Sequence, residues 1–121
     1  MSERFPDIEI YLLKAQAQSV KDWLQQAIGP VTELGESKFG LEWKIDGMAI
    51  LFSPNSSKNF ASLWFKTNQT PWQDDLACAR AAHSALDCEV RCSKAGWQEG
   101  DAGPGWIKLI RGEEKPLDWD N

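Results

Sequence analysis

The side chains that could do chemistry in this chain are one histidine, three cysteines and a scatter of carboxylates. A catalytic histidine needs a nucleophile within hydrogen-bond reach and an acid that orients it. Ser84 and Asp87 are the nearest candidates to His83 in sequence. Their spacing sends them to diverging faces of a helix or past its end. His83 is therefore expected to be an exposed or hydrogen-bonded helical residue.

The cysteines suggest free thiols in a reducing compartment rather than bridges. Cys78 falls in a helical pattern, and Cys88 and Cys92 lie four apart on a strand. At ~3.3 Å per residue these two face the same way yet stand ~13 Å apart. No paired C-x-x-C spacing joins them to His83 as a zinc site. Small buried hydrophobes are the expectation, with no metal and no cofactor.

The run Gly100-Asp101-Ala102-Gly103-Pro104-Gly105 superficially suggests phosphate binding. It lacks the order G-x-x-x-x-G-K-[ST], and a strand follows it where a phosphate loop needs a helix N-terminus. Residues 94–105 are expected to be a long surface loop. Asp74 and Asp75 belong to a helix start, where the dipole favours acids. Glu113, Glu114, Asp118 and Asp120 give an acidic end tempered by Lys108, Arg111 and Lys115, which reads as solvated surface. No pair of carboxylates is marked out for glycoside hydrolysis. No catalytic residue is assigned.

Binding has stronger candidates than catalysis. Seven tryptophans, at 23, 43, 64, 72, 97, 106 and 119, occur in 121 residues. Each indole can bury ~150–250 Å² and carries an N–H that needs a partner, so each belongs to core, interface or ligand surface.

The net charge of −5 argues against nucleic acid, whose binding rests on Lys and Arg. It suits solubility or a basic protein partner. The charged start Met1–Asp7 does not read as a signal peptide, and no apolar run is long enough to span a bilayer. A cytoplasmic protein with no membrane contact is expected, built as one α+β domain over 1–121.

The elements that position these residues follow from periodicity. Residues 8–14 read as a strand with Ile8, Ile10 and Leu12 on one side and Glu9, Tyr11 and Leu13 on the other. Val20, Trp23, Leu24, Ala27 and Ile28 predict a helix over 20–28, with Ser19 as its cap, Asp22 in the capping-box position and Gly29-Pro30 as its stop. Val31–Leu34 reads as a short strand or arm.

Phe39, Leu41, Trp43 and Ile45 alternate with polar residues, and Asp46-Gly47 predicts a type I′ turn. That turn pairs Ile45 with Met48, Trp43 with Ile50 and Leu41 with Phe52. Residues 60–66 form a strand with aromatics on both sides. Thr70-Pro71-Trp72-Gln73 predicts a capped helix running to about Leu86. Cys88–Cys92, Trp106–Arg111 and Leu117–Trp119 read as further strands, with a turn at Gly112-Glu113.

The order β-α-β-β-β-α-β-β predicts a two-layer sandwich, a mainly antiparallel sheet with two helices on one face. It resembles the ferredoxin-like β-α-β-β-α-β plan with extra strands, in topology alone. Trp23, Trp43 and Trp72 fall on core positions.

With Ile8, Ile10, Leu12, Trp43, Ile50, Phe52, Leu63 and Phe65 under the helices, Tyr11, Leu13, Leu51, Phe60 and Trp64 face the other way. A monomer rarely leaves such a patch bare. A second subunit, the segment 106–119 or a ligand is expected to cover it. The binding candidates are Tyr11, Leu51, Phe60, Trp64, Trp97, Trp106 and Trp119. Two functions follow. One is a binding or interaction domain, homodimeric or with a basic partner, using the aromatic open face. The other is a small-molecule binding domain or minor enzyme, with a pocket between the sheet and loop 94–105, where Trp97 and Trp106 stack on a sugar or aromatic ligand.

Overall fold

Strict period-two burial sets the sheet. In β1 (Ile8–Leu13) the residues Ile8, Ile10 and Leu12 are fully buried, and those between them are only partly so. The computed structural model describes residues 7–57, 59–93 and 105–117. After β1 come α1 (Ala17–Ala27), β2 (Thr32–Ser37), β3 (Gly40–Ile45), β4 (Met48–Ser57), β5 (Phe60–Phe65), α2 (Asp75–Leu86), β6 (Val90–Ser93), β7 (Trp106–Ile110) and β8 (Glu113–Leu117). The eight strands make one sheet in the order β2-β3-β4-β5-β1-β6-β7-β8, and each neighbouring pair is antiparallel. Two strands exceed the expected order. The arm after α1 is the full edge strand β2, and the chain turns back after β7 to form β8.

The β3–β4 hairpin has the register that the alternation predicts: Ile45↔Met48, Trp43↔Ile50 and Leu41↔Phe52. Its turn is not type I′, because that type needs positive φ at both central residues. Asp46 has φ 53°, whereas Gly47 lies outside the left-handed region. The turn with positive φ at both positions is Arg111 (52°) and Gly112 (77°), joining β7 to β8, and it replaces the expected turn at Gly112-Glu113.

The alternation also fails at Phe39. The pair Ser37↔Gly40 closes the β2–β3 hairpin, so Phe39 sits in the turn and is 64% exposed. Gly40 has φ +141°, and a Cβ there would lie 2.4 Å from the Phe52 carbonyl oxygen, so the close approach of β3 and β4 requires glycine.

Both helices begin away from the expected caps. The N-cap of α1 is Gln16, which makes no side-chain cap bond, and Ser19 and Asp22 lie inside the helix. Asp22 instead accepts from Gln18 Nε2 at 2.9 Å. For α2 the cap is Asp74, whose carboxylate accepts from the Ala77 N–H at 2.9 Å. Thr70 is held in a turn before the helix. Its hydroxyl donates to Asn68 Oδ1 at 2.6 Å and accepts from the Trp72 N–H at 3.1 Å.

The core lies between the sheet and both helices. Val20, Trp23 and Leu24 of α1 and Cys78, Ala79 and Ala82 of α2 join the inward residues of β1, β3, β4, β5, β6 and β7 in one cluster. Trp43, at 1% exposure, stacks on Phe52, with centroids 5.3 Å apart. Trp23 stacks on Trp72 at 5.2 Å, tying α1 to the turn before α2. No helix among the described residues is long and apolar enough to cross a membrane.

Candidate functional site: the outer face of the sheet

Because both helices bury their apolar residues against one side of the sheet, the opposite side carries the remaining partners of the register. Across β1 and β5, Glu9 stands opposite Trp64, Tyr11 opposite Ser62 and Leu13 opposite Phe60. Across β4 and β5, Leu51 stands opposite Trp64. Across β6 and β7, Arg91 stands opposite Lys108 and Ser93 opposite Trp106. Five of the seven expected binding residues, Tyr11, Leu51, Phe60, Trp64 and Trp106, therefore share one face. Trp97 and Trp119 lie outside the described residues, as does most of loop 94–105.

The aromatics of this face are knitted to charge. Tyr11 and Trp106 meet edge-on, with centroids 5.7 Å apart and planes at 73°. The Trp64 indole N–H donates to Asp7 Oδ2 at 2.9 Å, and Lys66 Nζ lies 5.5 Å from the Trp64 ring centroid. Phe60 is only 5% exposed although it faces away from the helices, and the Arg91 guanidinium sits 4.4 Å over its ring. Arg91 Nε donates to Glu89 Oε2 at 2.7 Å, and Ser62 Oγ donates to Glu9 Oε2 at 2.8 Å. Partial burial and then the Glu9 charge raise the Tyr11 phenol above its ordinary pKa, against a hydrogen bond with Ser56 that lowers it.

This face is therefore not the bare apolar patch that its composition predicts. Tyr11, Leu13, Leu51, Trp64 and Trp106 are all half-buried, and acids and bases alternate among them. The segment 106–117 does not lie across the face; it continues the sheet as β7 and β8.

The strongly exposed large hydrophobics among the described residues are Leu34 (56%) and Phe39 (64%), both on the β2–β3 hairpin. Alternation places Phe39 on the apolar face of the hairpin and marks neither residue for binding. The signal for Phe39 was there in Ser37-Lys38-Phe39-Gly40, a polar and glycine-bounded turn that interrupts the period-two run.

His83, the buried thiols and Asp75 are held in structural roles. His83 Nε2 accepts from the Gly112 N–H at 3.0 Å, so the ring proton sits on Nδ1 and is donated to the Cys88 carbonyl at 2.8 Å. His83 thus ties the end of α2 to the approach to β6 and to the β7–β8 turn. Burial, aided by the Asp75 charge, pushes the Cys78 thiol well above its ordinary value, and burial likewise pushes Cys92 up to about 12. Neither is a thiolate nucleophile near neutral pH.

Asp75, 8% exposed, accepts from the Glu9 backbone N–H at 3.2 Å, beyond the last β1–β6 pair at Tyr11↔Arg91. Among the described residues no cluster of three or more His, Cys, Asp or Glu is placed to hold a metal ion. The described residues line open depressions on the surface. One is lined by Glu36, Phe39 and Pro54, another by Lys14, Leu41 and Phe52.

Comparison with protein-family models, with curated proteins and with solved structures finds no match to this chain.

Proposed function

We propose that this chain is a small binding domain that associates with a second copy of itself through the outer face of its sheet. The observation that carries this reading is the row formed by Leu51, Trp64 and Glu9 beside the Tyr11–Trp106 pair. It places two half-buried indoles and a leucine on the face opposite the helices, and aromatic side chains at such positions are enriched among interface hot spots. Charge favours a second copy over a uniformly basic partner. Asp7, Glu9 and Glu89 are interspersed with Lys66, Arg91 and Lys108 on this face, and a two-fold axis can set such alternating charges opposite one another.

The strand order β4-β5-β1-β6, with a helix after β1 and another after β5, supports a ferredoxin-like core extended by β2–β3 on one side and β7–β8 on the other. A fold of this kind leaves one sheet face for association and does not itself specify a reaction.

Sedimentation tests the proposal with Trp64→Lys and Leu51→Lys, each of which puts a cation in the middle of the row. Association in the wild type, lost in both variants with native circular dichroism retained, supports it. Association unchanged in both variants contradicts it.

The other reading, a small-molecule pocket between the sheet and residues 94–105, keeps Trp106 as its described wall. Quenching or a shift of tryptophan emission by a free sugar or aromatic compound, absent in Trp106→Ala, is the outcome that supports it.

A further inference from the structure

The two edges of the sheet are built differently. β8 ends the sheet with Lys115 and Pro116 in the strand, and a proline and a lysine at an edge discourage further pairing. β2 ends the other side with Thr32-Glu33-Leu34-Gly35-Glu36-Ser37, which holds neither. It pairs with β3 alone, and every residue from Thr32 to Glu36 is exposed. Its outward backbone N–H and C=O groups therefore have no strand beside them among the described residues. Leu34 is the extra residue of a bulge between Glu33 and Gly35, so the bulge displays an apolar side chain and does not cover the edge. Phe39 stands at the end of the same hairpin, beside the open groove lined by Glu36, Ser53, Pro54 and Ser56.

The charges of this edge point to the occupant. Glu33 and Glu36 lie opposite Trp43 and Leu41, so both carboxylates stand on the helix side of the strand. Nearby cations are already engaged: Lys21 Nζ bridges Glu33 Oε2 at 3.1 Å, and Lys38 Nζ lies 5.1 Å from the centroid of the Phe39 ring. Lys44, opposite Thr32, lies on the other side of the strand. Glu36 is left exposed and without an ion pair among the described residues. A second copy fits poorly in the register centred on the bulge. Antiparallel self-pairing centred between Leu34 and Gly35 sets Glu33 directly against Glu36 of the other copy, and like charges directly opposite are destabilising.

We propose that the β2 edge receives an extended segment of another protein, carrying lysine or arginine alternating with apolar residues, as an added antiparallel strand. Main-chain bonds to β2 supply the affinity, a cation opposite Glu36 sets the charge preference, and Leu34 and Phe39 give the apolar contacts. This surface is separate from the outer face and goes beyond the association proposed for it.

The test is a titration of the ¹⁵N-labelled full chain with a short synthetic peptide of alternating lysine and valine, and with its glutamate–valine counterpart. The expected result is amide shifts and slowed amide exchange confined to Thr32–Ser37 and Phe39, with the lysine peptide binding up to about fivefold more tightly, the most that one favourable cross-strand pair is worth. Glu36→Lys should reverse the preference. As that residue is exposed and unpaired, the variant is expected to keep its fold. Leu34→Lys, also at an exposed site, should weaken the lysine peptide. Equal binding of the two peptides, shifts centred on Tyr11, Trp64 and Trp106, or no shift in β2 at all would each overturn the proposal. Dimerisation through the outer face is read separately by sedimentation, so either proposal can fail while the other stands.

Discussion

The ring of Trp106 on β7 meets the ring of Tyr11 on β1 edge-on at 5.7 Å, above the strand β6 that separates them. The contact spans two strand spacings and so ties the late hairpin β7–β8 to the centre of the sheet. Pairs of this geometry contribute about 0.5–1.5 kcal/mol beyond area burial. A double-mutant cycle with Tyr11→Leu and Trp106→Leu, read by urea unfolding, is expected to give a coupling in that range. A coupling indistinguishable from zero would mean that the rings are neighbours without mutual stabilisation.

His83 joins three elements with one ring. Replacing it with alanine removes the acceptor of the Gly112 N–H and the donor to the Cys88 carbonyl. With each net hydrogen bond worth about 0.5–1.5 kcal/mol, His83→Ala is expected to lose about 1–3 kcal/mol. Hydrogen exchange at Gly112 should quicken more than exchange in β1. Uniform acceleration across the sheet would show that the ring acts through packing alone.

The thiols should react in a fixed order. Burial raises all three thiols, but Cys88 is only half-buried, whereas Cys78 and Cys92 are fully buried, Cys78 pushed well above its ordinary value and Cys92 up to about 12. Iodoacetamide near pH 8 is expected to label Cys88 first in the native protein, with the other two labelled only on unfolding. Native labelling of Cys78 or Cys92 at a rate comparable with Cys88 would contradict this arrangement.

Arg80 holds Glu114 with two bonds, at 2.6 and 3.0 Å, and the hydrogen bond from the guanidinium lowers the Glu114 pKa. Since the folded-state value lies below the unfolded one, the stabilisation is present above the ordinary carboxylate range. It is lost as pH falls through the folded value. The pair is largely solvated, so the expected contribution is about 0.2–1 kcal/mol. Arg80→Ala should be less stable than wild type by that amount at pH 7, and the difference should close once acid protonates Glu114 in the folded chain. A difference that persists in acid would assign the effect to packing of the arginine stem.

What could be read ahead from residues was whatever depends on period. Ile8, Ile10 and Leu12, and the pairs Trp43↔Ile50 and Leu41↔Phe52, follow from alternation that leaves one register with a buried face. What could not be read was the outcome of local competition. Thr70 has the chemistry of a helix cap, but Asn68 holds its hydroxyl in a turn, and Asp74 caps the helix. Phe39 has the spacing of a core residue, but closure of the hairpin at Ser37↔Gly40 puts it in the turn. Of the candidate site, the face shared by Tyr11, Leu51, Phe60, Trp64 and Trp106 was legible because strands alternate. The cover on Phe60 was not, because it depends on Arg91 from a strand distant in sequence.

Association through the outer face is decided by sedimentation velocity of the wild-type chain and of Trp64→Lys across a wide concentration range. The expected result is a wild-type species of twice the chain mass and a folded, monomeric variant. A wild-type chain that stays monomeric at the highest concentration, or a variant that associates as the wild type does, would contradict it.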